Sequence, residues 1–139
     1  MLSSRLDEML PLAPATIVVC SLAVGADSEV AGRILQAGGG LHVVIPCDDY
    51  ESTFTDREAL AAYRYLLGQA ETVEKLRFAQ PSEEAFLEAG YRVVERSDSI
   101  LAIWDGQPAR GIGGTADVVS RARQLGKAVE VLWPTGLRR

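Results

Sequence analysis

Four short, nearly continuous apolar runs limit what this chain can fold into: TIVVC (16–20), LHVVIP (41–46), SILAIW (99–104) and AVEVLW (128–133). Each has strand length and is rich in β-branched residues, and none alternates with polar residues as a strand with one wet face does. Runs of this kind belong to strands covered on both faces, the situation of a parallel sheet between helices. The intervening segments have helical period. In Asp27 to Ala37, Val30, Ile34 and Ala37 fall at i, i+4 and i+7, and the triple glycine Gly38, Gly39, Gly40 supplies the stop. Glu83 to Arg96 sets Phe86, Leu87, Val93 and Val94 on one stripe, and Thr115 to Leu125 does the same with Val118, Val119, Ala122 and Leu125 before Gly126 ends it. Alternating strands and helices predict an α/β fold: a Rossmann-like, doubly wound parallel sheet with helices on both faces. The TIVVC and SILAIW strands are expected at its centre, because both are apolar throughout.

From Cys47 to Gln80 the pattern is less regular. CDDYESTFTDRE reads as a long polar loop leading into a helix from about Glu58 to Gln69, and Thr72 to Phe78 reads as a short edge strand. Long loops in compact domains are usually functional. At the other end, the first element is a helix from about Ser3 to Met9, whereas a doubly wound nucleotide-binding domain normally opens with a strand and a glycine-bearing loop. The expectation is therefore a fold lacking its usual first strand. The 139 residues make one domain, 1–139, with a frayed PTGLRR tail.

Composition removes several function classes. With 14 Lys and Arg against 19 Asp and Glu the net charge is -5, which opposes binding to a polyanion, so no nucleic-acid partner is expected. MLSSRLDEML has no apolar stretch of signal-peptide length, and no window approaches the roughly eighteen apolar residues of a membrane span. The expected setting is the cytoplasm, away from membranes. Cys20 and Cys47 each end an apolar run, without Cys-x-x-Cys spacing or a histidine pair, and read as small half-buried residues; neither a metal nor another cofactor is expected. His42, the one histidine, lies inside a strand and reads as a packing residue. There is no Ser-His-Asp set to assemble, and no glycine loop ending in Lys-Ser or Lys-Thr.

Ligands of doubly wound sheets sit beyond the carboxyl ends of the strands. Three segments occupy that edge. In SLAVGAD, Ser21 offers a hydroxyl and Gly25 lets the backbone come close, while Asp27 can cap the following helix or meet a ligand. In PCDDYESTF, the segment from Pro46 through Asp49 and Tyr50 offers carboxylates for ribose hydroxyls and an aromatic for a base, or else forms a solvated acidic turn. DGQPARGIGGTADVV (105–119) has four glycines and a proline within nine residues, directly between strand and helix. A backbone this free can curl its amides toward an anion at a helix N-terminus, with Thr115 adding a hydroxyl and Arg110 a bidentate charge.

Taken together, SLAVGAD, the strand ending in PCDDY, SDSILAIWDG and GIGGTADVV resemble the SLOG superfamily, which groups nucleotide-sensing modules with the LONELY GUY enzymes and DNA-processing protein A. The match runs from about Ile17 to Trp133. The resemblance implies that Ser21, Gly25, Ala26 and Asp27 line one side of a pocket, while Asp105, Gly106, Gly113, Gly114 and Thr115 cradle phosphate or ribose. It also implies pairing of two copies into a dimer. Two departures stand out. The strand and glycine loop that open most members have no counterpart here. The enzyme branch carries Pro-Gly-Gly-x-Gly-Thr-x-x-Glu, and alignment on Thr115 places Val118 where its catalytic glutamate belongs. Asp117 is one residue earlier, turned by about 100° on a helix, and is the candidate catalytic residue if there is catalysis. The reading that results is binding or sensing of a nucleoside monophosphate or ADP-ribose-like molecule. The alternatives are a nucleoside 5'-monophosphate N-glycosidase and an interaction domain with a vestigial pocket.

Overall fold

The computed structural model describes residues 16–23, 26–103 and 115–132. In chain order they form β1 (Ile17–Cys20), α1 (Ala26–Gln36), β2 (Gly40–Cys47), a 3-10 turn (Tyr50–Thr53), α2 (Arg57–Gly68), β3 (Thr72–Phe78), α3 (Glu83–Arg96), β4 (Ser99–Ile103), α4 (Thr115–Gln124) and β5 (Ala128–Leu132). Every strand pair is parallel and every pair is joined through a helix, so the fold is α/β of the Rossmann-like kind. The helix expected at Ser3 to Met9 lies outside the described residues.

β2 is the strand around which the first layer is organised. Its two edges pair with β1 and β3, and its side chains are buried on both faces. Leu41, Val43 and Cys47 pack in one core cluster with Ala31 of α1 and Tyr63 and Leu66 of α2. The opposite face, carrying His42 and Val44, is covered by α3. Pro46 brings no N–H to the ladder, and the β2–β3 register shifts between Ile45 and Cys47, the position of this residue. Asp56 and Ser82 start α2 and α3 by accepting backbone N–H bonds from Glu58 and Ala85, at 3.3 and 3.0 Å.

The expectation that TIVVC and SILAIW occupy the sheet centre is corrected here. The strands form two ladders, β1-β2-β3 and β4-β5, not hydrogen-bonded to one another, so β1 ends the first ladder and β2 holds the middle. An apolar composition signals cover on both faces; it carries no information on whether both backbone edges are paired. The second ladder has its own core, where Ile100 and Val94 meet Val119 and Ala122 of α4. Among the described residues, no helix is long and apolar enough to cross a membrane.

α3 links the two layers through polar contacts at its C-terminal end. Glu74 of β3 accepts from His42 Nε2 at 2.6 Å, from Arg92 Nη1 at 2.9 Å and from Arg96 Nε and Nη2 at 3.0 and 3.2 Å. From the other side, the Lys127 ammonium, one residue before β5, donates to the carbonyls of Val94 and Ser97, both at 2.6 Å. Cations at a helix C-terminus satisfy its orphan carbonyls and complement its dipole.

Two outcomes follow for stability. Lys127→Met removes a charge-assisted contact worth about 1.5–3 kcal/mol from the Ser97 and Val94 carbonyls, the latter keeping only its bond from the Ser97 N–H, so thermal denaturation should show Tm lower by roughly 5–10 °C. The Arg96 guanidinium, aided by His42 and Arg92, holds the Glu74 carboxyl down to about 2 from its ordinary 4.5. A carboxyl depressed in the folded state stabilises above its unfolded value, and that stabilisation disappears as pH falls from about 4.5 toward about 2. Melts across this range should show Glu74→Gln with a shallower acid dependence than the parent, and with lower stability at pH 7.

Candidate functional site

The carboxyl end of β1 departs from ordinary loop geometry. Ile17 to Cys20 run extended, but Leu22 adopts φ 56°, the left-handed region that side chains other than glycine rarely enter, and it is completely buried. Such a conformation costs of order 1 kcal/mol or more and persists only where surrounding packing fixes it. The turn it makes brings the backbone of Ser21 and Ala23 against the first turn of α1. There the carboxylate of Asp27 accepts from the Ala23 N–H at 3.1 Å, and Ser28 Oγ donates to the Ala23 carbonyl at 3.4 Å.

α1 begins at Ala26, so Asp27 lies inside the first helical turn rather than at the cap position that its residue type suggested; its carboxylate reaches backward to tie down the preceding loop. Burial pushes that carboxyl up from the ordinary aspartate value, against the backbone bonds from Ala23 and Ser21 that favour its charged form. The same charge acts on Cys20 and Tyr50. Burial, reinforced by Asp27, takes the Cys20 thiol up to about 12, leaving it protonated and inert near neutral pH. Tyr50 is likewise raised, first by burial and then by Asp27. The carboxylate of Asp27 thus acts electrostatically on both the end of β1 and the start of the 3-10 turn.

The structure places the residues expected after β2 in two different environments. Pro46 is fully buried, and Tyr50 is 5% exposed, its ring edge-on to Phe54 at 5.5 Å and to Tyr63 at 5.6 Å. Tyr50 is therefore a packing residue, with neither ring face open to stack on a base as its position in the sequence had suggested. Asp49 is exposed; its N–H donates to the Ala79 carbonyl at 3.1 Å, and its carbonyl accepts from Ser52 Oγ at 2.8 Å. Asp48 pairs with Lys75 at 3.3 Å. Of the first loop, Ser21 is half-buried beside Asp27, whereas Gly25 lies outside the described residues, as does the side chain of Ala26. Asp105, Gly106, Arg110, Gly113 and Gly114 also lie outside them. Thr115 begins α4.

Val118 and Asp117 part company on α4. A Cβ placed on Gly90 of α3 would lie 2.6 Å from Val118 Cγ2, so the valine occupies the space beside Gly90 where α3 meets α4. Asp117, half-buried in the first turn, is the carboxylate that α4 offers. Among the described residues, no group of three or more His, Cys, Asp or Glu is placed to hold a metal ion.

Leu22 and the Cys20–Asp27–Tyr50 grouping were not anticipated from sequence. A leucine within SLAVG gives no local sign of a left-handed backbone, and the proximity of residue 50 to residue 27 is a product of β1–β2 pairing. No protein-family model matches the chain, and no curated protein matches it in sequence.

A carboxyl raised by burial favours the protonated folded state, so its contribution to stability is complete below the unfolded aspartate value and falls as pH rises through the folded one. Asp27→Asn keeps an acceptor for the Ala23 N–H without the buried charge. At pH 7 to 8 the variant should therefore melt higher than the parent, with the difference closing on acidification; a variant melting lower at pH 8 counts against this account.

Proposed function

We propose that this chain binds a nucleotide-derived small molecule, a nucleoside monophosphate or an ADP-ribose-like compound, at the carboxyl ends of β1 and β4, and does not turn it over. The observation that carries the reading is the Leu22 and Asp27 arrangement. A strained turn and a carboxylate buried at a cost to stability stand at the edge of a parallel sheet where α/β proteins place their ligands. Local features that oppose stability are expected at binding sites. In this reading the glycine-rich segment after β4 presents its amides to the phosphate and Asp27 receives ribose hydroxyls. The likeness of SLAVGAD, WDG and GGTADVV to the SLOG superfamily points to the same ligand class. The packing of Val118 against Gly90 favours binding over N-glycosidase chemistry, because the position of the enzyme branch's glutamate is taken up by the helix interface.

Calorimetry against AMP, ADP-ribose and cyclic ADP-ribose tests the proposal, with chromatography of the same mixtures for free base. Saturable binding without base release is the expected result. Release of base that stops in Asp117→Asn selects the N-glycosidase reading instead, and no binding to any of the three selects the vestigial pocket. Gly114→Val, which puts a branched side chain where the phosphate would approach, should weaken binding by roughly ten- to a hundredfold, the loss of one charge-assisted hydrogen bond, with little change in Tm.

A further inference from the structure

The last turn of α3 ends in carbonyl oxygens that its own neighbours supply only in part. The final four carbonyls of a helix have no intrahelical N–H to accept from. Here Ser97 Oγ donates to the Val93 carbonyl at 2.6 Å, and the Ser97 N–H donates to the Val94 carbonyl at 3.2 Å. Arg96, the basic residue of that turn, reaches instead to Glu74 of β3. The remaining donors come from a distant part of the chain. Lys127 Nζ lies 2.6 Å from the Val94 carbonyl, 3.3 Å from that of Glu95 and 2.6 Å from that of Ser97. The three donors of one ammonium thus meet three backbone oxygens.

Residue 127 is placed by its backbone as well as by this contact. Gly126 turns the chain with φ 73°, and the Lys127 N–H donates to the Ala122 carbonyl of α4 at 3.0 Å. The oxygens around Nζ are neutral. The nearby Glu95 carboxylate is half-exposed and lies 3.9 Å from Arg92. Calcium and magnesium sites are built with carboxylates, whereas carbonyl oxygens alone can replace the hydration shell of a singly charged ion. The set therefore has the chemistry of a monovalent-cation nest, and the negative end of the α3 dipole adds to it.

We propose that the Val94, Glu95 and Ser97 carbonyls form a monovalent-cation site that this chain fills with its own tethered ammonium, and that a free ion of similar size, potassium or ammonium, enters when that side chain is cut back. The join between α3 and the start of β5 is then a cation-bound join, which Lys127 makes independent of the surrounding salt. The ion class follows from the oxygens: three neutral carbonyls give no charge to offset the dehydration of a divalent ion.

The test compares thermal melts of the full-length parent, Lys127→Ala and Lys127→Met in potassium, ammonium and tetramethylammonium chloride at equal ionic strength. Alanine opens the site and keeps the backbone bond to Ala122; methionine removes the charge but leaves a stem in the space. Both variants should melt below the parent. Potassium or ammonium should restore at least about half of the alanine variant's loss, saturating as for an ion held only by the folded state. Tetramethylammonium, too large to sit among the three carbonyls, should restore nothing, and neither the parent nor the methionine variant should respond. An equal gain in all three proteins or in all three salts overturns the proposal, because it is then general salt stabilisation; so does an alanine variant that gains nothing. If that variant folds only with added ion, potassium or ammonium must suffice, and failure to fold in every salt counts against the site. The parent gives an independent measurement through its two lysines. Acetic anhydride should modify Lys75, in its exposed pair with Asp48, several times faster than Lys127. Equal rates would show that the carbonyls do not hold the ammonium, and the assignment would fall.

Discussion

The relation between the two ladders depends on how the last turn of α3 is held. Nothing in the backbone hydrogen-bond pattern ties β1-β2-β3 to β4-β5, so the join is made by side chains. Glu74 reaches up from the first ladder to Arg92 and Arg96, and Lys127 reaches back from the start of β5 to the carbonyls of Val94 and Ser97. These contacts lie at the amino end of the strands. The candidate site lies at the carboxyl end, where no comparable polar clamp joins the ladders among the described residues. Among the described residues, the end fastened by charge-assisted bonds is thus the one opposite the candidate site.

The same division accounts for the ionisable groups. At the fastened end a carboxylate meets three cationic or proton-donating partners and is held far below its usual range. At the site end, the bonds to Asp27 among the described residues come from the backbone of Ala23 and Ser21, and burial prevails over them. Two carboxylates of similar chemistry therefore contribute to stability in opposite senses with pH. That contrast, more than the identity of either residue, distinguishes the fastened end of the fold from the end that holds the candidate site.

Much of the fold was legible in the sequence because it is written in short-range terms. Helix α3 begins and ends where the apolar stripe of Glu83 to Arg96 places it, and the edge strand Thr72–Phe78 has the bounds its composition suggested. What could not be read depends on contacts between residues distant in sequence. β1 looked central because burial of two faces and pairing of two edges leave the same apolar signature. Tyr50 looked available because a tyrosine in an acidic loop gives no sign that Phe54 and Tyr63 will enclose it. In the site itself, residue type correctly marked Asp27 as belonging to the start of α1, but its backward bond to Ala23 and the left-handed Leu22 arise only when the loop closes over β1.

The closeness of α3 and α4 at Gly90 and Val118 has an evolutionary corollary. Residue 90 lacks a side chain and the valine at 118 packs against it, so a larger residue at 90 alone meets a Val118 methyl. Changes at the two positions are therefore expected to be coupled, a side chain gained at 90 being best accommodated when residue 118 is smaller. A substitution tolerated at either position depends on what the other one holds.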